Sequence, residues 1–401
     1  SRARIVTYGG SAATNDRPLD GDTVFEIGSI TKVFTSLLLT EMVTRGEVAL
    51  DDPVAKYLPG NVKMPARNGK QITFLDLATY TSGLPRVPDG ISNTADNPYA
   101  AYTVEQLYGF LSNHTLRFDP GTHYEYSNLG FGLLGHVLAL RAGTGYEDLL
   151  VSRVCAPLGL ADTRISLNAS MRERLAQGHL SNLETTSNWD LPTLAGAGAL
   201  RSTANDLVKF TRATCLSGAN APLRQAIDML VQTRRPTNIP NTEVGLGCFF
   251  NTANRDEVIW KDGMTGGYAT FAGFSTTIKS GAAVLSNAAN AVNDIGFHLA
   301  NPAYKIAQYP PEVAVDPAML AAYQGTYQMT PKFALAIRAD SGRLFVRGTE
   351  QPEFELFAES DNRFFMRFVD AQGTFLRDKD GKVDRLLWHQ GGKYTYCPRA
   401  P

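Results

Sequence analysis

Ile30, Val33, Phe34, Leu37, Leu38, Met42 and Val43 recur at helical intervals along "SITKVFTSLLLTEMV", and Gly46 closes the run. That spacing predicts a long buried helix starting at or near Ser29. From about residue 50 to 230, short helical patterns alternate with loops rich in Pro, Gly, Asn and Thr. Two of these loops, "RVPDGISNTADNPY" and "SNLETTSNWDLPTLAGAGAL", are long enough to border a pocket. "NLGFGLLGHVLALRAG" predicts another amphipathic helix with a glycine end, and Thr203 with Asp206 forms a capping pattern ahead of "DLVKFTRATC". Between residues 244 and 286 the pattern changes to that of strands: "VGLGCFFNT", "EVIWKDG", "YATFAGFSTTI" and "GAAVLSNA". Turns are expected at Asp262 to Gly267 and at Lys279 to Gly281, and the opening "SRARIVTYGG" reads as a strand entering a turn. Mixed α and β structure with an antiparallel sheet follows.

At "AQYPPEVAVDP", residues 307 to 317, paired prolines and lost periodicity mark a break. The expected division is a first unit at 1–307, a linker at 308–317 and a second unit at 318–401. In the last of these, "FALAIRADSGRLFVRG", "FELFAESDNRFFMRFVD" and "GTFLRDKDGKVDRLLWHQGG" predict short strands joined by Asp/Gly turns, a small antiparallel barrel or meander. Phe364, Phe365, Phe368, Phe375 and Trp388 are expected to form its core rather than a carbohydrate platform.

Composition narrows the classes of function. The chain has 401 residues, 43% of them hydrophobic, enough for a large core and more than one domain. Its 38 basic and 39 acidic residues nearly cancel, without a basic stripe, so nucleic acid and anionic membranes are not indicated as partners. A small-molecule or peptide substrate fits better. No stretch approaches the ~20 apolar residues of a membrane span. Cys155, Cys215, Cys248 and Cys397 lack C-x-x-C spacing, and the six histidines are dispersed without H-E-x-x-H, so neither metal nor other cofactor is called for.

The chemistry starts at Ser29 and Lys32, three positions apart and so on one helical face. A serine hydroxyl is a weak nucleophile until a base takes its proton, and a buried lysine can be that base. Free backbone N–H groups at the helix start favour negative charge nearby. Ser29 is the only serine with a lysine three positions on. In "YEYSNLGFGLLG", Tyr126 offers a phenol for acid–base work and Asn128 an amide for a substrate carbonyl or amide. In "WKDGMTGGY", Lys261 and Asp262 precede Gly263, whose missing side chain is expected to let substrate lie against the strand.

S-x-x-K, then Y-S-N about a hundred residues later, then K-x-G on a late strand, resemble the penicillin-recognising serine hydrolases: class C β-lactamases, D-alanyl-D-alanine carboxypeptidases and related esterases. "LATYTSGLPR", "VCAPLGLADT" and "GALRSTANDLVKF" look similar to that family too, and the resemblance covers roughly residues 5 to 305. It implies an α+β fold, a β-lactamase/transpeptidase-like antiparallel sheet flanked by helices with a helical lobe, and the site in the cleft. The tail after residue 315 resembles the small β domain attached to some members. By the same resemblance, Ser29 forms an acyl-enzyme while Lys32 and Tyr126 share the proton transfers. Asn128 orients the acyl side, and Lys261 brings positive charge to the far end. The oxyanion sits between the backbone N–H groups of Ser29 and Met264. A periplasmic or secreted location is the family habit.

Asp262 departs from the pattern, because penicillin-recognising members usually carry Thr or Ser there. A carboxylate at this position repels a substrate carboxylate. The chain also opens in what looks like the family's second strand, so that sheet edge is expected to be truncated or built differently. Three functions remain open: hydrolysis of β-lactams or D-alanyl peptides, a carboxylesterase, aminopeptidase or amide hydrolase for small acyl groups, and a slow-turnover penicillin-binding sensor. Sequence sets no oligomeric state.

Overall fold

The computed structural model describes residues 3–11, 17–91, 96–216, 223–253, 256–331, 333–349, 351, 353–367, 371–390 and 393–400. They form two compact units, Ser1–Ile306 and Ala307–Pro401. In the first, strand β1 (Val24–Glu26) runs through a short 3-10 turn, Gly28–Ile30, into helix α1 (Thr31–Thr44). Helix α2 (Asn128–Ala142) follows in the helical lobe, then strand β2 (Arg201–Thr203), which pairs antiparallel with β1, and helix α3 (Ala204–Leu216). Strands β3 (Arg235–Pro236), β4 (Thr242–Val244), β5 (Phe249–Asn251), β6 (Val258–Met264), β7 (Ala269–Ser275) and β8 (Ser280–Ser286) make an antiparallel sheet in which each neighbour in sequence is a neighbour in space. Helix α4 (Asn293–Ala300) closes the unit. The fold class is α+β, with the antiparallel sheet flanked by helices as expected.

Helix α1 is the axis of the core. Its apolar positions are buried as predicted, Val43 only in part, but so are Thr31, Lys32, Thr35, Ser36, Thr40 and Glu41, so neighbours enclose most of it. Several of the polar groups find partners: Thr35 Oγ1 donates to the Thr31 or Gly196 carbonyl, and Arg153 pairs with Glu41 at 3.4 Å. Gly46, at φ +71°, makes the predicted stop. Helix α2 ends equally clearly at Gly143, φ +68°. The Asp206 backbone N–H donates to Thr203 Oγ1 at 3.2 Å, the predicted cap of α3.

Two expectations need correction. The described part of the opening segment, residues 3–11, carries no regular structure, and Val6 and Tyr8 are exposed; no strand among the described residues pairs with it, and an unpaired segment does not make a strand. The turn expected to begin at Asp262 begins at Thr265 instead. Asp262, Gly263 and Met264 stay in β6, paired with Phe271, Thr270 and Ala269, because ladder pairing outweighs the turn preference of the Asp-Gly pair.

The second unit opens with a short helix, Pro317–Tyr323, capped by Asp316. Eight strands follow in sequence order as an antiparallel meander, and a bridge between Tyr327 and Arg399 brings the last segment back to the first. This is the expected barrel-like closure, which hides sheet edges. Phe364, Phe365, Phe375 and Trp388 are buried in it; Phe368 lies outside the described residues. All four cysteines are free thiols.

Candidate active site

Ser29 sits in the 3-10 turn between β1 and α1, and Lys32 in the first turn of α1. Lys32 Nζ donates to Ser29 Oγ at 2.9 Å, to Asn128 Oδ1 at 2.9 Å and to the Ala197 carbonyl at 2.6 Å. Tyr126 OH donates to the same Ser29 Oγ at 2.7 Å. The candidate nucleophile therefore faces a phenol and an amine at once. The Y-S-N stretch divides its labour: Ser127 Oγ accepts from the Gly130 N–H at 2.8 Å, capping α2, while Tyr126 and Asn128 on either side reach Ser29 and Lys32.

Electrostatics sharpen the picture. Lys32 is fully buried, its hydrogen-bond acceptors are uncharged, and desolvation pushes its amine down to about 8 against the pull of Tyr126, with Lys261 and Arg86 helping to lower it. Burial alone would raise the Tyr126 phenol. The ammonium groups of Lys261 and Lys32, together with the close side chains of Lys32 and Ser29, bring it down to about 8 instead. Three cations face its ring: Lys32 at 5.0 Å, Arg86 at 5.0 Å and Lys261 at 5.4 Å from the centroid.

Lys261, on β6, is held quite differently. Its ammonium donates to Asp262 Oδ1 at 2.6 Å and to the Asp262 carbonyl at 2.9 Å, and Asn293 Nδ2 reaches Asp262 Oδ2 at 3.4 Å. Desolvation works against the Lys261 charge, but Asp262 and Tyr126 outweigh it and raise its proton affinity. Asp262 answers in kind: desolvation raises its carboxyl, and Lys261 brings it below the usual range.

Gly263 has a different reason from the one expected. A Cβ there would stand 2.0 Å from the Ile27 carbonyl oxygen and 2.5 Å from Thr270 Oγ1, so protein fills the space that the sequence assigned to substrate. The glycine allows β6 to press against the chain entering the Ser29 turn. Gly28 does the same from the other side, with φ +47° and a Cβ position 2.7 Å from Met264 N. The backbone preceding Ser29 is thereby seated against Met264, the two residues expected to form the oxyanion site.

Several contributors escaped the sequence. Tyr80 stacks on Tyr126 with centroids 4.7 Å apart and holds φ +57°, a conformation rare for an aromatic residue. The only hint was its place in "LATYTSGLPR". Tyr99 OH accepts from Asn128 Nδ2 at 3.1 Å and its ring lies near Trp189, so both long loops flagged as pocket borders do reach the site, although residues 92–95 of the first lie outside the described residues. Behind Ser29, buried Glu26 accepts from Arg201 at 3.0 Å, from Asn188 at 3.0 Å and from the Trp189 N–H at 2.9 Å, anchoring β1. An acid inside the buried run "VFEIG" was the available signal.

Known proteins resemble both units of the chain. The family described as Beta-lactamase matches residues 2–304, and a domain of unknown function, DUF3471, matches residues 309–396. Over 278 residues the chain is 31% identical to the D-alanyl-D-alanine-carboxypeptidase/endopeptidase AmpH of Escherichia coli (strain K12), covering 66% of this chain and 71% of that protein. It is 24% identical over 415 residues to a penicillin-binding protein of Bacillus subtilis (strain 168), covering 96% and 90%. Among solved structures, a β-lactamase/D-alanine carboxypeptidase from Yersinia pestis superposes with a TM-score of 0.64 at 25% identity, over 74% of this chain and 86% of that one. An octameric penicillin-binding protein homologue from Pyrococcus abyssi reaches 0.63 at 20% identity over 96% and 90%, a likeness of fold. The chain belongs to the β-lactamase family and is a serine hydrolase.

Proposed function

We propose that the protein forms an acyl-enzyme at Ser29 and hydrolyses β-lactams or D-alanyl peptides. The observation that carries the reading is the single oxygen of Ser29 receiving hydrogen bonds from both Lys32 and Tyr126. Ser29 Oγ attacks the substrate carbonyl as its proton passes to the Lys32/Tyr126 pair, whose lowered proton affinities let one member act as base near neutral pH. The oxyanion is stabilised by the backbone N–H groups of Ser29 and Met264. The tetrahedral species collapses, the C–N or C–O bond breaks, and Tyr126 returns the proton to the leaving atom. Water, deprotonated by Tyr126, then releases the acid and frees Ser29. Asn128, tied to Lys32 and Tyr99, borders the acyl side. Gly263 acts through packing, and substrate contact with its backbone is part of the proposal. An exported, periplasmic or secreted protein is the location that the family resemblance favours; among the described residues no helix is long and apolar enough to cross a membrane.

The test is the intact mass over time after mixing with a penicillin. A Ser29-dependent adduct, absent in Ser29→Ala, is the expected result, and its lifetime separates turnover from trapping. An adduct of the same size on Ser29→Ala overturns the assignment of the nucleophile.

A second reading, a carboxylesterase or amide hydrolase for small acyl groups, is favoured by one observation. Asp262 occupies the ammonium of Lys261, the cation expected to receive a leaving-group carboxylate. No penicillin adduct, together with Ser29-dependent cleavage of acyl esters, selects this reading.

A further inference from the structure

Of the three cations facing the Tyr126 ring, one has neither an ion-pair nor a side-chain hydrogen-bond partner among the described residues. Lys32 is engaged with Ser29, Asn128 and Ala197, and Lys261 is paired with Asp262. Arg86 is exposed, its guanidinium lies 5.0 Å from the Tyr126 ring centroid, and among the described residues it has no ion-pair partner. Its charge reaches the site: burial lowers the proton affinity of Lys32 and Arg86 adds to that, while burial raises the Tyr99 phenol and Arg86 opposes the rise.

Its position is firmly built. The Arg86 carbonyl accepts from the Asn128 N–H at 2.8 Å and the Leu129 N–H at 3.3 Å, and the preceding Pro85 carbonyl accepts from Ser127 Oγ at 2.6 Å. The backbone of Arg86 is thus bolted to the start of α2, beside Asn128. The phenol ring offers the guanidinium a face, leaving its fork of N–H donors available for a planar anion.

We propose that the cleft takes its anion on the acyl side: Arg86 binds a carboxylate carried by the acyl group, while the Lys261–Asp262 pair suits the opposite end to uncharged leaving groups. This deepens the second reading, an esterase or amide hydrolase for small acyl groups, and rests on Ser29 as the acylated residue and on Asn128 as the border of the acyl side. A carboxylate arriving at Lys261 meets Asp262, which is 30% exposed and already holds that ammonium. A carboxylate arriving at Arg86 displaces no ion pair among the described residues and can form two charge-assisted hydrogen bonds. The substrate class is therefore an amide or ester of a dicarboxylic or acidic amino-acid type acyl group with a neutral leaving group.

The experiment compares 4-nitrophenyl hemiadipate with 4-nitrophenyl 6-methylheptanoate, in which an isopropyl group replaces the carboxylate. The ratio of their kcat/KM values is read for the wild type, Arg86→Gln and Arg86→Lys at low and high salt. A charge-assisted contact is worth about tenfold to a hundredfold, so Arg86→Gln should lower the anionic-to-neutral ratio by at least about tenfold, chiefly through KM. Arg86→Lys should restore part of it, and salt should weaken it in the wild type. An unchanged ratio in Arg86→Gln overturns the proposal. So does an equal loss on both esters with a displaced pH profile, which makes Arg86 a tuner of the phenol. Cleavage of neither ester while Ser29 still reacts with a fluorophosphonate overturns the substrate class alone. Cleavage of both by Ser29→Ala overturns the underlying reading instead.

Discussion

Two lysines are buried within reach of one phenol, and they are built for opposite ends. Lys32, on α1, makes its hydrogen bonds to a hydroxyl, an amide and a backbone carbonyl, and burial lowers its proton affinity to about 8. Lys261, on β6, has a carboxylate at 2.6 Å and keeps its proton more tightly than an ordinary lysine. Burial disfavours charge in both. The neighbouring carboxylate decides which lysine can give up a proton and which remains a fixed positive charge.

The harshest way to break this comparison is to remove the amine that can lose its proton. Lys32→Met should lower the rate of Ser29 acylation by about a thousandfold, the middle of the range for a proton-transfer group, while the fold survives. Rapid-mixing mass spectrometry measures it, with circular dichroism as the folding control. A loss of less than about tenfold would make Tyr126 sufficient as base and Lys32 mainly a packing element.

How far this contrast could be read in the chain follows from where each signal lies. Ser29, Lys32 and the start of α1 share a local helical repeat, which spacing exposes directly. Tyr126, Asn128 and Lys261 stand out only because their motifs occur in a family order. The capture of Lys261 by Asp262 depends on where β6 ends, and the apparent Asp-Gly turn concealed that the strand continues to Met264. Tyr80, Tyr99 and Arg86 were hidden for another reason: they come from loops, and only tertiary packing brings Tyr80 and Arg86 to the Tyr126 ring and Tyr99 to Asn128. In the second unit, alternation sufficed because each strand pairs with its neighbour in sequence.

A smaller loss should follow from disturbing how the two elements meet. Gly263→Ala places a methyl group against the Ile27 carbonyl, backbone on which neither partner can easily yield. It should destabilise the protein by about 1–3 kcal/mol, seen in denaturant unfolding, and reduce acylation by displacing the Ser29 turn. Unchanged stability and activity would mean that β6 has room to retreat, and that its approach to β1 does not set the distance between the lysines.

The pH profile probes the labile end. Because Lys32 and Tyr126 are both brought to about 8, acylation should rise with pH through that region and level off above it. Below it, the rate should fall about tenfold per unit as the pair takes up the proton that Ser29 must lose. The midpoint belongs to the pair. A rate independent of pH from 6 to 9, with acylation shown to be limiting, would contradict a shared base in this range.

The gentlest change converts one lysine into a likeness of the other. Asp262→Asn leaves Lys261 buried beside an amide, as Lys32 already is, and removes the anion that favours the ammonium form. The sign is fixed: the Lys261 titration midpoint should move down, by about one unit, equivalent to about 1.4 kcal/mol. Titration of protein carrying carbon-13 at the lysine ε positions measures it, with Lys261→Met assigning the signal. Lys32, farther from the altered group, should move less. If Lys261 keeps its midpoint, Asp262 is not what holds its charge. The phenolic oxygen of Tyr126 would then be the partner that matters, and the difference between the two lysines would lie in their distance from that oxygen rather than in the presence of a carboxylate.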